Sequence, residues 1–299
     1  MSTDLFGYPH VAHRRPLDDH KPVHTTTVRR MGALTTWELW AHNTATRSDN
    51  KIHDDAVARR LGFTGGLVPG VDVYAYLTHL PAEAWGLEWL ERGSMRARLG
   101  RPVYDGDRVR VVPVDERRDG DARRAEVELR NSEDDACATG TAELPDEGPK
   151  APSPTEWADV EQVRDRPEAS PQTLAVGTPF GLDEHGFHAD RAGEYLDAVR
   201  ETDQVYRDER VAHPGWLLRD ANYVLSSNVR LGPWIHVESA MQHFRLVTDG
   251  QTVRTRATVT AEWEHKGHRF VTLDVGIIAD DDVAARVTHT AIYRPRQLA

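Results

Sequence analysis

The chain contains two similar halves, and this duplication constrains its fold more than any other feature of the sequence. Two pairs of stretches align: LVPGVDVYAYLTHL (67–80) with AHPGWLLRDANYVL (212–225), and RPVYDGDRVRV (101–111) with RLVTDGQTVRT (245–255). In the first half, 36 residues lead from Gly70 to Gly106. In the second half, 35 residues lead from Gly215 to Gly250. Matches in register at nearly constant spacing predict a duplicated structural unit.

Each half has the same local pattern of helix and strand signals. A Pro-Gly step opens a helical stretch, because Pro fixes φ and Gly permits a close approach before the first turn. Long segments rich in Val, Thr, Ile and aromatic residues follow, with the alternation that is typical of strands. Hairpin turns are expected at Asp119-Gly120 and Lys266-Gly267. The sequence therefore predicts an α+β fold in which a central helix is wrapped by an antiparallel sheet, twice.

The segment 145–172 separates the two halves. It carries six prolines and many charges, a composition that favours a linker because it offers little apolar area to bury. The predicted organisation is a first unit at 1–144, a linker at 145–172 and a second unit at 173–299.

Composition excludes several classes of function. The formal net charge of −11 argues against nucleic-acid binding, which needs a basic surface. The single cysteine, Cys137, permits neither a disulfide framework nor a thiolate metal cluster. No segment has the apolar length of a signal peptide or a membrane helix, so we expect a cytoplasmic protein with no membrane partner. His10 and His13 near the N-terminus are interpreted as solvated side chains.

Two stretches carry a resemblance to a known family. NKIHDDAVARRLGFTGGLVPGV (50–71) resembles the signature of the MaoC-like, type-2 enoyl-CoA hydratase group, and RARLGRPVYDGDRVRV (96–111) is similar to the strand pair that follows it. The resemblance implies the hotdog fold, here in its double form. It also implies addition or removal of water at the double bond of a 2-enoyl thioester, without a metal or redox cofactor. The implied partner is an acyl-CoA or an acyl-carrier thioester.

The resemblance also implies roles for residues around the Asn-x-x-His loop. His53 falls on the family's catalytic histidine, and Asn50 falls on the asparagine three places before it. The N–H of Gly70, with Val71 beside it, would bind the thioester oxygen at a helix N-terminus, where the backbone dipole favours negative charge. Outside the resemblance, His53 could simply cap the helix that follows.

The sequence departs from the family pattern at the acid. The family's aspartate is expected five residues before the histidine, and that position holds Ser48. Asp49 stands one place too late, and Asp72 lies two residues into the predicted helix. Either could replace the missing acid, and Ser48 is interpreted as a hydrogen-bonding residue of the substrate loop.

The second half has no histidine at the corresponding position, which is Ala198, so we expect it to lack the catalytic loop. His213 beside the second Pro-Gly step could reach the pocket. Three polar residues on the second central helix could line a substrate tunnel or face solvent: Arg219, Asp220 and Asn222. The stretch DEHGFHAD (183–190) is interpreted as an acidic turn rather than a metal site, which would need three or four ligands in fixed geometry.

Five arginines could form a basic rim for coenzyme phosphates or could balance nearby acids on a sheet face: Arg96, Arg98, Arg101, Arg108 and Arg110. Three functions remain open: a hydratase or dehydratase, a thioesterase that uses Asp72 to activate water, and a non-catalytic acyl-binding protein. Exposed sheet edges suggest a homo-oligomer.

Overall fold

The computed structural model describes residues 32–46 and 48–296. The N-terminal segment that contains His10 and His13 lies outside the described residues. The first half begins with strand β1 and ends with strand β5, and its elements are β1 (Trp37–Trp40), α1 (Asp55–Arg60), α2 (Gly70–Arg92), β2 (Ser94–Leu99), β3 (Arg108–Asp119), β4 (Ala122–Arg130) and β5 (Ala136–Pro145).

The second half repeats this order with one further short helix. Its elements are β6 (Pro179–Gly186), α3 (Ala189–Ala198), α4 (Val205–Asp208), α5 (Pro214–Ser226), β7 (Ile235–His243), β8 (Thr252–His265), β9 (His268–Ala279) and β10 (Asp282–Arg294). The prediction of an acidic turn at 183–190 is wrong for its first part. Residues 183–186 complete strand β6, in which His185 and Gly186 pair antiparallel with β8 after a register shift at 183–184.

The described residues form one ten-stranded antiparallel sheet in the order β1-β3-β4-β5-β2-β7-β10-β9-β8-β6. Counted outward from the β2–β7 junction, the two halves have corresponding strands in the same order. Equivalent isolated bridges, Leu67 with Tyr104 and Val211 with Thr248, occur in both halves. The predicted α+β architecture, with its duplicated unit, is thus confirmed. Strands β1 and β6 end the sheet, and assembly through such edges stays a prediction.

The two central helices lie against the sheet and against each other. Helix α2 is buried along most of its length, and it bends at Gly86, where φ is 63°. The predicted hairpin turns at Gly120 and Gly267 also have positive φ, at 62° and 78°. These left-handed positions are where glycine avoids the strain that a Cβ would introduce.

The segment 145–172 packs against the second half instead of spanning open solvent. Trp157 is 2% exposed and lies against Ile278 and Val283. Its indole N–H donates to the Asp274 carbonyl at 3.2 Å. A Cβ at Gly276 would come within 2.7 Å of the indole ring, so that glycine makes room for it. The composition of the segment did not indicate this anchor, because a single tryptophan hardly changes the mean hydropathy of a charged, proline-rich stretch.

We expect Trp157→Ala to lower the free energy of unfolding by about 3–5 kcal/mol, the usual cost of removing a large buried aromatic side chain. Chemical denaturation monitored by circular dichroism measures this change. Trp40→Ala is the matched control, because Trp40 is 62% exposed. Equal effects of the two substitutions would contradict the anchoring role of Trp157.

Candidate active site

A cavity of about 240 Å³ lies between the two halves. The first half contributes the turn that contains His53, the start of α2 and the end of β2. The second half contributes residues of α5, β7 and the segment before β7. Most of the lining is apolar, and it includes Ile52, Phe63, Leu99, Val103, Ile235 and Ile292. Such a mostly apolar cleft with a few converging polar groups is typical of a small-molecule site.

His53 ends a single 3-10 turn at Lys51–His53 and lines the cavity. Its Nδ1–H donates to the Leu67 carbonyl at 2.7 Å, and because a carbonyl can only accept, this contact fixes the tautomer. Nε2 is therefore the unprotonated nitrogen. The loop passes so close to the following turn that a Cβ at Gly66 would lie 2.2 Å from the His53 carbonyl oxygen. The glycine cluster is a packing requirement of this turn.

Burial lowers the pKa of His53 below 6.5. The hydrogen bond to the Leu67 carbonyl and the negative charge of Asp72 offset part of this shift. The imidazole is accordingly neutral at physiological pH, with a lone pair on Nε2. A neutral imidazole in an apolar cavity is suited to accept a proton.

Asn50 connects the loop of the first half to the backbone of the second. Its Nδ2 donates to the Trp234 carbonyl at 3.0 Å, and its Oδ1 accepts from the Trp234 N–H at 3.2 Å. Oδ1 also caps the turn by accepting from the Ile52 N–H. The His53 Nε2 lies 3.5 Å from Asn50 Nδ2, at the long limit of a hydrogen bond. Asn50 thus holds the loop in place and borders the nitrogen that would act on substrate.

Gly70 is the first residue of α2 and lines the cavity. A Cβ there would come within 2.6 Å of Leu99 Cδ1 and 2.7 Å of His236 Nδ1, so only glycine is accommodated. Backbone N–H groups in the first turn of a helix have no acceptor within the helix. Val71, the next residue, is 2% exposed and is not among the cavity-lining residues.

Ser48 and Asp49 lie outside the cavity lining. The Ser48 hydroxyl accepts from the Asn50 N–H at 3.1 Å, which makes it part of the turn that supports Asn50. Asp49 is exposed. Neither residue is placed where a base would contact substrate in the cavity.

Asp72 is fully buried, and both oxygens of its carboxylate are held by hydrogen bonds to protein groups, unlike those of a catalytic acid that faces substrate. Its Oδ1 accepts from Arg219 Nη2 at 2.9 Å, and its Oδ2 accepts from the Thr44 hydroxyl at 2.5 Å. The Arg219 guanidinium also lies 4.4 Å from the centre of the Tyr195 ring. The Asp72 carboxylate therefore joins α2 to α5, and it reaches His53 only through its charge.

The polar residues of α5 have three different environments. Arg219 pairs with Asp72, and Asp220 is fully buried, where its carboxylate contacts His185 at 2.9 Å and the Thr255 hydroxyl at 2.8 Å. Asn222 lines the cavity. Of the three residues predicted to line a tunnel or face solvent, only Asn222 reaches the cavity.

Sequence reasoning missed His236, which lines the cavity from β7. Its Nε2 contacts the Ser239 hydroxyl at 2.8 Å, and that hydroxyl contacts His289 Nδ1 at 2.9 Å. His236 Nδ1 and Asn222 Oδ1 are buried without a hydrogen-bond partner in the part of the chain that the structure describes. The only signal in the sequence was that His236 and His289 each occupy a position at which the alternation of a strand predicts an inward-facing side chain.

The corresponding place in the second half is filled by side chains. A Cβ at Gly215 would lie 2.3 Å from the Tyr195 hydroxyl. His213 accepts from the Gly215 N–H at 2.9 Å and is buried beside Glu201, so it does not line the cavity. Glu201 also contacts His79 at 2.8 Å. The start of α5 is thus occupied by protein, whereas the start of α2 faces a cavity.

Most of the arginines considered for a basic rim form ion pairs with acids. The pairs are Arg96 with Glu238, Arg101 with Asp135, Arg108 with Glu38, and Arg110 with Asp134. Of the five, Arg101 lines the cavity. No cluster of three or more metal-ligating side chains occurs within 32–46 and 48–296. Within the same ranges, no helix is long and apolar enough to cross a membrane.

No protein-family profile and no curated protein matches this sequence. Solved structures do match. A MaoC domain protein dehydratase from Chloroflexus aurantiacus is similar with a TM-score of 0.60 and 14% identity, over 88% of this chain and 96% of that one. A MaoC-like dehydratase is similar with a TM-score of 0.58 and 12% identity, over 89% and 99%. A conserved Mycobacterium tuberculosis protein with a double hotdog fold has a TM-score of 0.53 and 13% identity, over 87% and 96%.

This chain has the double hotdog fold. The similarity agrees with the resemblance seen in the sequence, and it covers nearly the whole described chain. At such low identity the likeness establishes the fold alone, because one fold supports many activities. The chemistry of this double hotdog has to be argued from the residues in its cavity.

The Asp72–Arg219 contact provides a direct test of how the two central helices are joined. We expect Asp72→Asn to lower the free energy of unfolding by about 3–5 kcal/mol, because it leaves a buried guanidinium without its counter-charge. Asp183→Asn is the control, since its partner Arg164 is 71% exposed and such pairs contribute about 0–1 kcal/mol. Guanidinium unfolding curves give both values, and similar shifts would argue against a stabilising buried pair.

Proposed function

We propose that this double hotdog protein adds water to, or removes it from, a 2-enoyl thioester. The observation that carries the proposal is the position of His53. Its tautomer is fixed by Leu67, which leaves Nε2 unprotonated, and His53 lines the same cavity as the start of α2. A base and a helix N-terminus in one apolar cavity are the two groups that this reaction requires.

The hydration step follows from these two groups. His53 Nε2 takes a proton from water as the water oxygen bonds to the β-carbon of the substrate. The electrons of the double bond move to the thioester oxygen, where the N–H of Gly70 stabilises the developing enolate. The α-carbon then receives the proton from the His53 imidazolium, which restores the neutral base. Dehydration is the reverse sequence, and neither direction needs a redox cofactor.

Asn222 supplies a second acceptor for the attacking water. Its Oδ1 is buried without a partner and belongs to the lining of the same cavity. A water molecule has two O–H groups, so His53 and Asn222 together could accept both and orient the oxygen. This arrangement would take over the orienting role of the acid that Ser48 replaces. Asp49 and Asp72 are not needed in it.

The substrate would be the acyl thioester of coenzyme A or of a carrier protein. The apolar lining would hold the acyl chain, and Arg101 at the cavity would face its polar carrier. A thioesterase mechanism based on Asp72 is less well supported, because both carboxylate oxygens of Asp72 already accept hydrogen bonds from Arg219 and Thr44.

We expect the purified protein to consume crotonyl-CoA, and His53→Ala to lower kcat by about 10²- to 10⁴-fold, the range for loss of a positioned base. Absorbance of the conjugated double bond follows the reaction, and a thiol reagent follows release of coenzyme A. His265→Ala on the exposed β8–β9 hairpin is the control and should retain full activity. Release of free thiol without loss of the double bond would assign thioester hydrolysis instead. Binding without either signal would assign a non-catalytic acyl-binding protein.

The pH profile provides a second test of the proposed base. The pKa of His53 is lowered by burial, so the imidazole stays neutral until the pH falls below this lowered value. We expect kcat/KM to be level near neutral pH and to decrease only at pH values below 6.5, the pKa of an unperturbed histidine. An acid limb centred above 6.5 would be inconsistent with His53 as the base.

A further inference from the structure

A chain of three polar side chains from the second half ends at the cavity. His236 is 6% exposed on β7, and its Nε2 contacts the hydroxyl of Ser239 at 2.8 Å. The same hydroxyl contacts Nδ1 of His289 on β10 at 2.9 Å. The two outer nitrogens of this chain, His236 Nδ1 and His289 Nε2, have no partner among the described residues.

The Ser239 hydroxyl carries one hydrogen, and there are two arrangements in which that hydrogen is donated to one of the two imidazoles. In the first, Ser239 donates to His289 and accepts from His236 Nε2–H. This leaves a bare Nδ1 at the cavity and an N–H on His289 Nε2. In the second, Ser239 donates to His236 Nε2 and accepts from His289 Nδ1–H. This places an N–H at His236 Nδ1 and leaves a bare Nε2 on His289.

The surroundings of the two outer nitrogens favour the second arrangement. His289 is 0% exposed, so an N–H on its Nε2 would be a buried donor without an acceptor. Unsatisfied buried donors of this kind are rare and costly. His236 belongs to the cavity lining, where a ligand oxygen or water can accept from its Nδ1–H. The chain therefore presents a donor to the cavity.

This donor lies at the start of α2. His236 Nδ1 is 2.7 Å from the position that a Cβ on Gly70 would occupy. The N–H of Gly70 is at the same end of the helix and has no acceptor within it. Two kinds of donor, one from each half of the protein, thus meet in one corner of the cavity.

We propose that His236 Nδ1–H and the N–H of Gly70 together bind the thioester carbonyl oxygen and the enolate that forms from it. This inference rests on the proposed function, and it identifies a substrate-contacting residue that the first half alone could not supply. Ser239 and His289 are positioning residues, because they act by fixing the tautomer of His236.

The charge state of His236 suits this role. Burial lowers its pKa to about 4, and a smaller effect of the Glu238 backbone opposes this shift. His289 and Ser239, which face the ring, and Gly70 at the cavity carry no charge that would reverse it. The imidazole thus stays neutral and donates without giving up its proton. A neutral donor aimed at a developing oxyanion stabilises the transition state more than the ground state.

The tautomer can be measured without any assay of activity. Two-bond ¹H–¹⁵N correlation spectra of protein labelled at histidine should show His236 protonated at Nδ1, with the resonance assigned from its loss in His236→Phe. Ser239→Ala should convert a single tautomer into a mixture. A His236 that is protonated at Nε2 in the wild-type protein would overturn the inference.

Kinetics of matched variants test the contact with substrate. We expect His236→Phe to lower kcat for crotonyl-CoA by about 10²- to 10³-fold with little change in KM, as for loss of one oxyanion donor. His236→Gln keeps an N–H group and should recover part of the loss. His243→Phe is the control, because His243 is 2% exposed on the same strand, has its pKa lowered to about 4 and is not among the cavity-lining residues. It should leave kcat unchanged.

The outcomes separate this inference from the proposed function. A wild-type protein that hydrates crotonyl-CoA, with folded His236→Phe and His236→Gln equally active, would overturn the role of His236 and leave the hydratase assignment intact. If the wild-type protein shows no turnover, the contact of His236 with a thioester carbonyl is tested by adding butyryl-CoA to the labelled protein and recording the His236 resonance. A shift of the His236 Nδ1 proton supports the carbonyl contact, and an unchanged resonance at saturating butyryl-CoA overturns it.

Discussion

The buried contact between Asp72 and Arg219 fixes the relation between the two central helices. Removing both charges from water is costly, and it is tolerated only where the geometry satisfies them. Here Thr44 and the Tyr195 ring complete the surroundings of the pair. Because α2 and α5 are held in this register, the start of α2 meets the wall formed by β7. The pair anchors α2 two residues from Gly70, which lines the cavity.

Duplication gave the chain two equivalent helix starts, and only one of them faces a cavity. Gly70 lines the cavity and Gly215 does not, and a Cβ at Gly215 would lie 2.3 Å from the Tyr195 hydroxyl. The second half has instead specialised its strand β7 and helix α5 to complete the site of the first. Asn50 holds the Trp234 backbone through two hydrogen bonds, so the loop and this wall are joined directly. Both halves thus contribute residues to the lining of one cavity.

The sequence predicted the parts of this structure that depend on local patterns. Pro-Gly helix starts, glycine turns and alternating strands repeat in register, so the duplicated α+β fold was accessible. The position of His53 could be anticipated from a short motif. The role of Asp72 could not, because its partner Arg219 lies 147 residues away and only packing brings them together. His236 and Trp157 were missed for the same reason, since each acts through neighbours that are distant in sequence.

The replacement of the expected acid by Ser48 has a physical consequence for how a site of this kind can work. In the proposed reaction, a carboxylate beside His53 would orient water but would also repel the negative charge on the thioester oxygen. Without it, the polar side chains that line the cavity are neutral apart from Arg101, and they include His53, Asn222 and His236. In a cavity of low polarity, fixed neutral donors and acceptors lose little energy to reorganisation when charge appears. Ser48 instead accepts from the Asn50 N–H, so it supports the residue that joins the two halves.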